Sequence, residues 1–368
     1  MTLAFLDDDA ASALDTPAVV VDLDRAEERI AEMSRAMRER GIALRPHAKT
    51  HKSLEFGRRQ LRAGAVGLTV ATIGEAEVFV ADGFEDLFVA FPVLAVGPKA
   101  ERVRRLTERC RLSVGADSTA GLEALANAVD GATRQPRVVI EIDSGGARTG
   151  VPPERAGALA RRAVQLGLPV AGAFTHGGHG YGGVEARAAA ADDEVAGLAA
   201  AAASIRAEGI EPTVLSAGST PTAILSARGE VTEERPGTYI FGDRQQAALA
   251  NEPFEGTALM VATTVVSHGD GHGFVIDAGA KILGKDVAPY LRGHGSVLGY
   301  PEAVIERVND HHGVVQLPAG ERRPDIGSMV WVMPNHACPV VNMVDEYVIA
   351  SGRRIVDRWP VDARGRNG

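Results

Sequence analysis

The chain is expected to be an α/β protein, with a closed (β/α)8 TIM-type barrel over residues 20–250 and an all-β domain over residues 251–368, to which residues 1–19 attach. Three observations lead there. A length of 368 residues exceeds one simple domain. Apolar, β-branched runs alternate through the first two thirds with segments of helical period rich in Ala, Glu and Arg, the mark of a parallel sheet with helical crossovers. From about Thr257 the pattern changes to short strands divided by turn signals.

Taken in order, a strand at 18–23 and a helix at 25–40 precede strands at 42–49, 65–71, 86–92, 111–117, 137–143, 169–176, 213–220 and 238–243. Counted from residue 42 these are eight, which fits a closed barrel better than an open doubly wound sheet. Helices at 119–129 and 153–166 carry apolar residues at three- and four-residue spacing and stop at Asp130-Gly131 and Gly167. The alanine-rich stretch 186–203 favours helix by composition. In the second domain, strands are expected at 259–267, 273–276, 313–317, 328–333 and 346–350.

Composition narrows the function classes. Hydrophobic residues at 45% and charged ones at 24% are ordinary globular values. A net charge of −9 argues against an extended nucleic-acid or anionic-membrane surface. Only Cys110 and Cys338 are present, too few for a disulfide framework, and no run has transmembrane length or signal-peptide flanks. A soluble cytoplasmic protein acting on a small molecule is expected.

In a barrel the chemistry belongs at the C-terminal ends of the strands. Alternation along strand 42–49 places Arg45, His47 and Lys49 on one face, a ladder of potential cations. A lysine crowded by like charge and partly desolvated loses its proton more easily, so Lys49 is a candidate nucleophile toward an aldehyde; a solvated rim holding Lys49 and Lys52 is the plainer alternative. The glycine-rich loop 143–150 can aim Arg148 over the barrel mouth at an anion or phenolate, and His176, His179 and Tyr181 sit in or beside another such loop, able to stack on a flat ring, move protons or bind metal. Gly218, Ser219 and Thr220 end the seventh strand, where barrels commonly bind phosphate; the eighth ends with Tyr239, Gly242 and Asp243. In Pro334-Asn335-His336-Ala337-Cys338-Pro339, read as extended, His336 and Cys338 point the same way and can grip one Zn²⁺ with coordination sites left open. A buried free cysteine near a core histidine is the competing reading.

The stretch Arg45-Pro46-His47-Ala48-Lys49-Thr50-His51-Lys52, the segment 64–72, Glu75-Ala76-Glu77 and the ending Pro334 to Pro339 together resemble the fold-type III pyridoxal-phosphate enzymes. The likeness is to the D-serine dehydratases and D-threonine aldolases, related to the N-terminal domain of alanine racemase, and it spans nearly the whole chain. It implies that Lys49 is joined to the aldehyde of pyridoxal 5'-phosphate, with Arg148 beside the phenolic oxygen and His47, His176 and Tyr181 lining the cofactor. By the same resemblance Gly218, Ser219 and Thr220 form the phosphate loop, and Tyr239, Gly242 and Asp243 the final barrel loop. His336 and Cys338 match the zinc pair of the dehydratases, whereas the aldolases commonly carry Asp at the second position and prefer Mn²⁺; a thiolate selects zinc by softness. Family members are typically head-to-tail homodimers with active sites at the interface.

The reaction implied is elimination from a D-β-hydroxy amino acid, most simply D-serine, to a 2-keto acid and ammonia. Lys49 would remove the Cα proton while zinc polarises the hydroxyl. In the aldolase alternative His176 or His179 takes the hydroxyl proton and Cα–Cβ cleavage gives glycine and an aldehyde. An amino-acid racemase is a further reading, and a cofactor carrier or a barrel hydrolase built on His47, His51, His176 and His179 lies outside that class. His268, His272, His294, His311 and His312 are assigned surface or core roles.

Overall fold

The computed structural model describes residues 5–250, 256–269 and 271–368. The chain forms two compact units. One holds Ala31–Lys49, Leu54–Gly237 and Arg366–Gly368; the other holds the chain up to Ile30, Thr50–Ser53 and Thr238–Gly365. The sequence reading set the division at 250/251, where residues 251–255 lie outside the described ones.

β1 (Ala18–Asp22) belongs to the second unit, and the barrel begins with β2 (Ala43–Leu44). It continues through β3 (Leu68–Val70), β4 (Asp86–Pro92), β5 (Arg111–Ala116), β6 (Arg137–Glu141), β7 (Val170–Phe174), β8 (Val214–Ala217) and β9 (Glu233–Glu234). These eight parallel strands lie in the order β2-β9-β8-β7-β6-β5-β4-β3, and the open edges meet through the parallel bridge His47↔Thr69. Two expected strands are corrected. The eighth is Glu233–Glu234, not 238–243, because Pro236 and Gly237 break the run and Thr238–Ile240 turns as a 3-10 helix. The first is shorter than 42–49: Pro46 has no amide to give a ladder, and residues 48–51 form a turn.

The crossovers fall where period and caps place them. Helices span Leu23–Glu39, Thr119–Ala128, Ala156–Gln165 and Ala186–Ala207. Ser118 caps the second by accepting from the Gly121 amide at 3.2 Å, and Thr72 caps helix Ile73–Ala81 by accepting from the Glu75 amide at 3.0 Å. The barrel strands are nearly continuous in buried apolar residues, as a sheet covered on both faces requires. Phe88 and Phe174 meet edge to face at 5.1 Å within a cluster with Val139 and Ala171.

In the second unit β1 pairs parallel with β16 (Glu346–Ser351) and antiparallel with β10 (Leu259–Ser267). The sheet extends through β11 (Phe274–Ile276), β13 (Val304–Val308), β14 (Gly313–Gln316), β15 (Met329–Met333), β17 (Arg354–Pro360) and the short β12 (Ser296–Val297). β12, β13 and β17 go beyond the expected strands. β17, for example, is largely exposed and carries Arg354, Asp357 and Arg358, so its strand character comes from antiparallel pairing with β16 rather than from an apolar pattern.

Replacing Phe88 by Ala is expected to cost about 3–5 kcal/mol, because the ring is buried and the cavity cannot collapse onto rigid strands. Urea unfolding measures this; a loss under about 1 kcal/mol would place the ring outside the packed interior.

Candidate active site

In the barrel unit Lys49 lies in the turn 48–51 rather than on a strand, and its amide donates to His47 Nδ1 at 3.4 Å. The cation ladder expected from alternation does not form. Arg45 is buried with Nε 2.7 Å from Glu233 and Nη1 2.6 Å from Asp86. Burial alone would lower its pKa, but the two carboxylates outweigh that and raise it, so its charge is neutralised locally. Crowding by Arg45 is therefore no source of activation for Lys49.

His176 follows β7, its ring 6.4 Å from that of Tyr181 and tilted 40° to it. Burial, followed by the positive charges of Lys49, Arg148 and Arg235, pushes its pKa down to about 3. The imidazole is thus neutral across the physiological range and a poor base. His179 has Nε2 3.1 Å from Asp193, while its Nδ1 is buried and unpartnered. Arg148 sits on an exposed loop held in shape by Asp143, whose Oδ1 accepts from the amides of Gly145 at 2.9 Å and Ala147 at 3.1 Å.

At the turn after β8, Gly218 has φ +99°, a conformation favouring glycine, and its amide donates to Glu194 at 3.0 Å. The Ser219 amide donates to Thr222 Oγ1 at 3.2 Å. Both amides thus have partners within the chain, so the turn is braced from inside.

A group of buried charges escaped the sequence reading: Glu141, Glu194, Glu233, Glu234 and Arg235. Arg235 lies over the rings of Phe174 at 5.2 Å and Phe88 at 5.7 Å, and its Nη2 donates to the Thr175 carbonyl at 2.5 Å. Its Nη1 is buried with no partner. The available signal was the triplet Glu233-Glu234-Arg235 just before Pro236-Gly237, and a lone Glu194 on the inward face of the helix with Ala190, Ala191 and Leu198.

In the second unit His336 and Cys338 are adjacent, but the segment is not extended. His336 is the N-cap of helix Ala337–Met343, and Cys338 lies in its first turn. The turn is braced by Asp243, whose Oδ2 accepts from the Ala337 amide at 3.0 Å and whose Oδ1 accepts from Gln246 at 2.9 Å. Asp243, Tyr239 and Gly242 therefore lie in the unit that carries the pair, with Tyr239 lending its carbonyl to Arg29 Nη1 at 3.2 Å. His336 Nδ1 is 2.8 Å from Asp286, which sequence reasoning also missed because it lies 50 residues away. Burial lowers the His336 pKa, yet Cys338, Asp243 and Asp286 outweigh it and bring it up to about 9. Cys338 Sγ is 3.3 Å from the hydroxyl of Thr50, the residue after Lys49 in sequence. Cys110, by contrast, is buried, its pKa raised to about 11 by desolvation, as for an inert core thiol.

Comparison with known proteins agrees with this layout. The alanine racemase N-terminal domain family matches residues 21–245, and a putative serine dehydratase domain matches residues 258–350. The chain is 34% identical to D-threo-3-hydroxyaspartate dehydratase of Delftia sp. (strain HT23), covering 95% of this chain and 98% of that one. It is 32% identical to D-threonine aldolase of Arthrobacter sp, covering 97% and 94%. The crystal structure of D-threonine aldolase from Filomicrobium marinum superposes with a TM-score of 0.87 at 30% identity over 96% of both chains. The chain belongs to the fold-type III pyridoxal-phosphate family, combining an alanine racemase N-terminal domain with a D-serine dehydratase-like domain. It is a pyridoxal-phosphate-dependent lyase. Among the described residues no helix is long and apolar enough to cross a membrane.

The depressed His176 pKa has a definite sign. Between the unfolded value near 6.5 and about 3 the unfolded chain binds a proton that the native one does not, so stability present above pH 6.5 falls as pH drops through that window. Wild type is expected to lose up to about 1 kcal/mol per pH unit more than His176→Asn there. Denaturation midpoints at pH 4, 5 and 6 (about one unit apart, to span the window) make the comparison, and parallel curves would contradict it.

Proposed function

We propose that this lyase uses pyridoxal 5'-phosphate and a divalent metal to act on D-β-hydroxy amino acids, eliminating the hydroxyl to give a 2-keto acid and ammonia. The observation that carries the elimination is the thiol at Cys338 beside His336, with Asp286 on the far ring nitrogen. A carboxylate at Nδ1 holds a proton there, so that Nε2 would become the electron-pair donor once an ion displaces its own proton, the usual support of a ligating histidine. Imidazole and thiolate form a soft donor pair suited to zinc. Among the described residues no group of three or more His, Cys, Asp or Glu side chains is placed to hold a metal ion, so His336 and Cys338 would form a two-side-chain site. The Delftia dehydratase offers a parallel, since one of its mutants is named as a metal-free form.

The barrel residues fit the organic cofactor. Arg235 Nη1 and Glu141 Oε2 are buried without partners, a donor and an acceptor left for a ligand to satisfy. Lys49 would hold the aldehyde carbon, His176 and Tyr181 would wall the ring, Arg148 would face its phenolic oxygen, and Gly218, Ser219 and Thr220 would seat the phosphate. Bound pyridoxal phosphate supplies an electron sink for charge developing at Cα. Lys49 Nζ would take the Cα proton. His176, neutral beside three cations, adds no competing charge. His336 and Cys338 would hold the ion, which would supply a Lewis acid for the substrate hydroxyl.

Aldol cleavage is the second reading, favoured by the 32% identity to D-threonine aldolase of Arthrobacter sp. It uses the same side chains and differs in which bond at Cα breaks. A homodimer with sites at the subunit interface and a cytoplasmic location complete the proposal.

Purified protein given D-serine, D-threonine and D-3-hydroxyaspartate is expected to release keto acid and ammonia from at least one, without glycine. Glycine with an aldehyde would replace elimination by cleavage. Cys338→Ala or EDTA should lower turnover at least about 100-fold, with zinc restoring only the EDTA-treated wild type; turnover untouched by either would remove the metal from the reaction.

A further inference from the structure

Two buried carboxylates border the turn after β8 and have no part in the reaction as read so far. Glu194 enters from helix Ala186–Ala207, and its Oε1 accepts from the amides of Gly177 at 2.7 Å and Gly218 at 3.0 Å. Those amides open the two turns that follow β7 and β8. Glu234, in β9, points Oε2 at Gly218, only 1.9 Å from where a Cβ would stand. Its Oε1 accepts from Ser226 at 2.8 Å. Both remaining oxygens, Glu194 Oε2 and Glu234 Oε2, are buried with no hydrogen-bond partner.

We propose that Glu194 is a positioning residue that clasps the turns after β7 and β8 to one another, and thereby sets the turn 218–220 as a seat for the cofactor's phosphate. The inference rests on the cofactor reading above. Its first support is geometric. The turn is tied internally, with Ser219 Oγ 3.0 Å from Thr222 Oγ1 and the Ala223 amide on the Ser219 carbonyl at 2.9 Å. Its entry point is held by Glu194, the same oxygen that holds the residue after His176. Both turns are close-packed here: a Cβ on Gly177 would stand 2.7 Å from the Glu194 carboxyl carbon, and one on Gly218, at φ +99°, would meet Glu234.

A clasp made of two anions would repel a phosphate. Each carboxylate is instead met from within the fold, Glu194 by the amides of Gly177 and Gly218 and Glu234 by the Ser226 hydroxyl. Burial raises the pKa of Glu194 despite Thr222 and the donating amides of Gly218 and Gly177, which lower it, and burial followed by the charge of Glu194 raises that of Glu234 well above the usual range. Arg235, Glu233 and Glu141 are the other charged groups of this interior, and Arg235 is the cation among them.

The test uses the full chain, stripped of cofactor and titrated with pyridoxal 5'-phosphate and separately with pyridoxal, which lacks the phosphate. Uptake is read from the visible absorbance. Glu194→Met is expected to weaken pyridoxal phosphate about tenfold or more while leaving pyridoxal unchanged, since only the phosphate seat has moved. Glu194→Gln keeps an acceptor oxygen for both amides and should bind each ligand within about threefold of wild type. If Glu194→Met does not fold, Glu194→Asp, which withdraws the oxygens by one methylene, gives the same comparison. Equal losses for the two ligands, or none, would overturn the clasp. Wild-type protein that takes up neither ligand would overturn the cofactor reading and the clasp with it.

Discussion

The barrel can hold charge only where charge is compensated, and its active end is arranged around that requirement. An ion taken out of water loses several kcal/mol of solvation, about what a well-placed partner returns. Arg45 meets two carboxylates, Glu233 and Asp86, and keeps its proton. Arg235 lies across two aromatic faces and one carbonyl, with desolvation lowering its pKa. His176 has no such compensation, only burial and neighbouring cations, and so it remains neutral. The same rule that places charge thus decides which groups are available for proton transfer.

The second unit meets the same requirement by a different route. His336 and Cys338 are brought together by the start of a short helix, and two aspartates from elsewhere in the chain fix them: Asp243 through the Ala337 amide, Asp286 through the imidazole. A histidine with a carboxylate at Nδ1 is oriented before any ion arrives, which reduces the entropy lost on binding. Relatives named as a dehydratase and as an aldolase match the chain over nearly its whole length.

The legible part of the molecule was whatever depends on local order. Apolar period and caps located the crossover helices and most barrel strands, and the motifs around Lys49 and His336 named the chemistry. What sequence reasoning missed was charged and buried. Glu233-Glu234 reads as loop because carboxylates rarely occupy strands, yet the pair closes the barrel between β2 and β8 with Arg45, Ser216 and Ser226 as partners. The cation ladder of Arg45, His47 and Lys49 failed for the complementary reason: spacing reports which way a side chain points, but not the carboxylate waiting there from 188 residues away.

By itself, then, the order of residues determined the layering of helices and strands and the family, since these follow from periodicity and from side-chain chemistry within a few positions. Only the tertiary structure decided where β1 pairs, which strand completes the barrel and which buried charges are neutral. Those depend on desolvation and on partners that meet across long stretches of chain, and neither quantity is encoded in any local window.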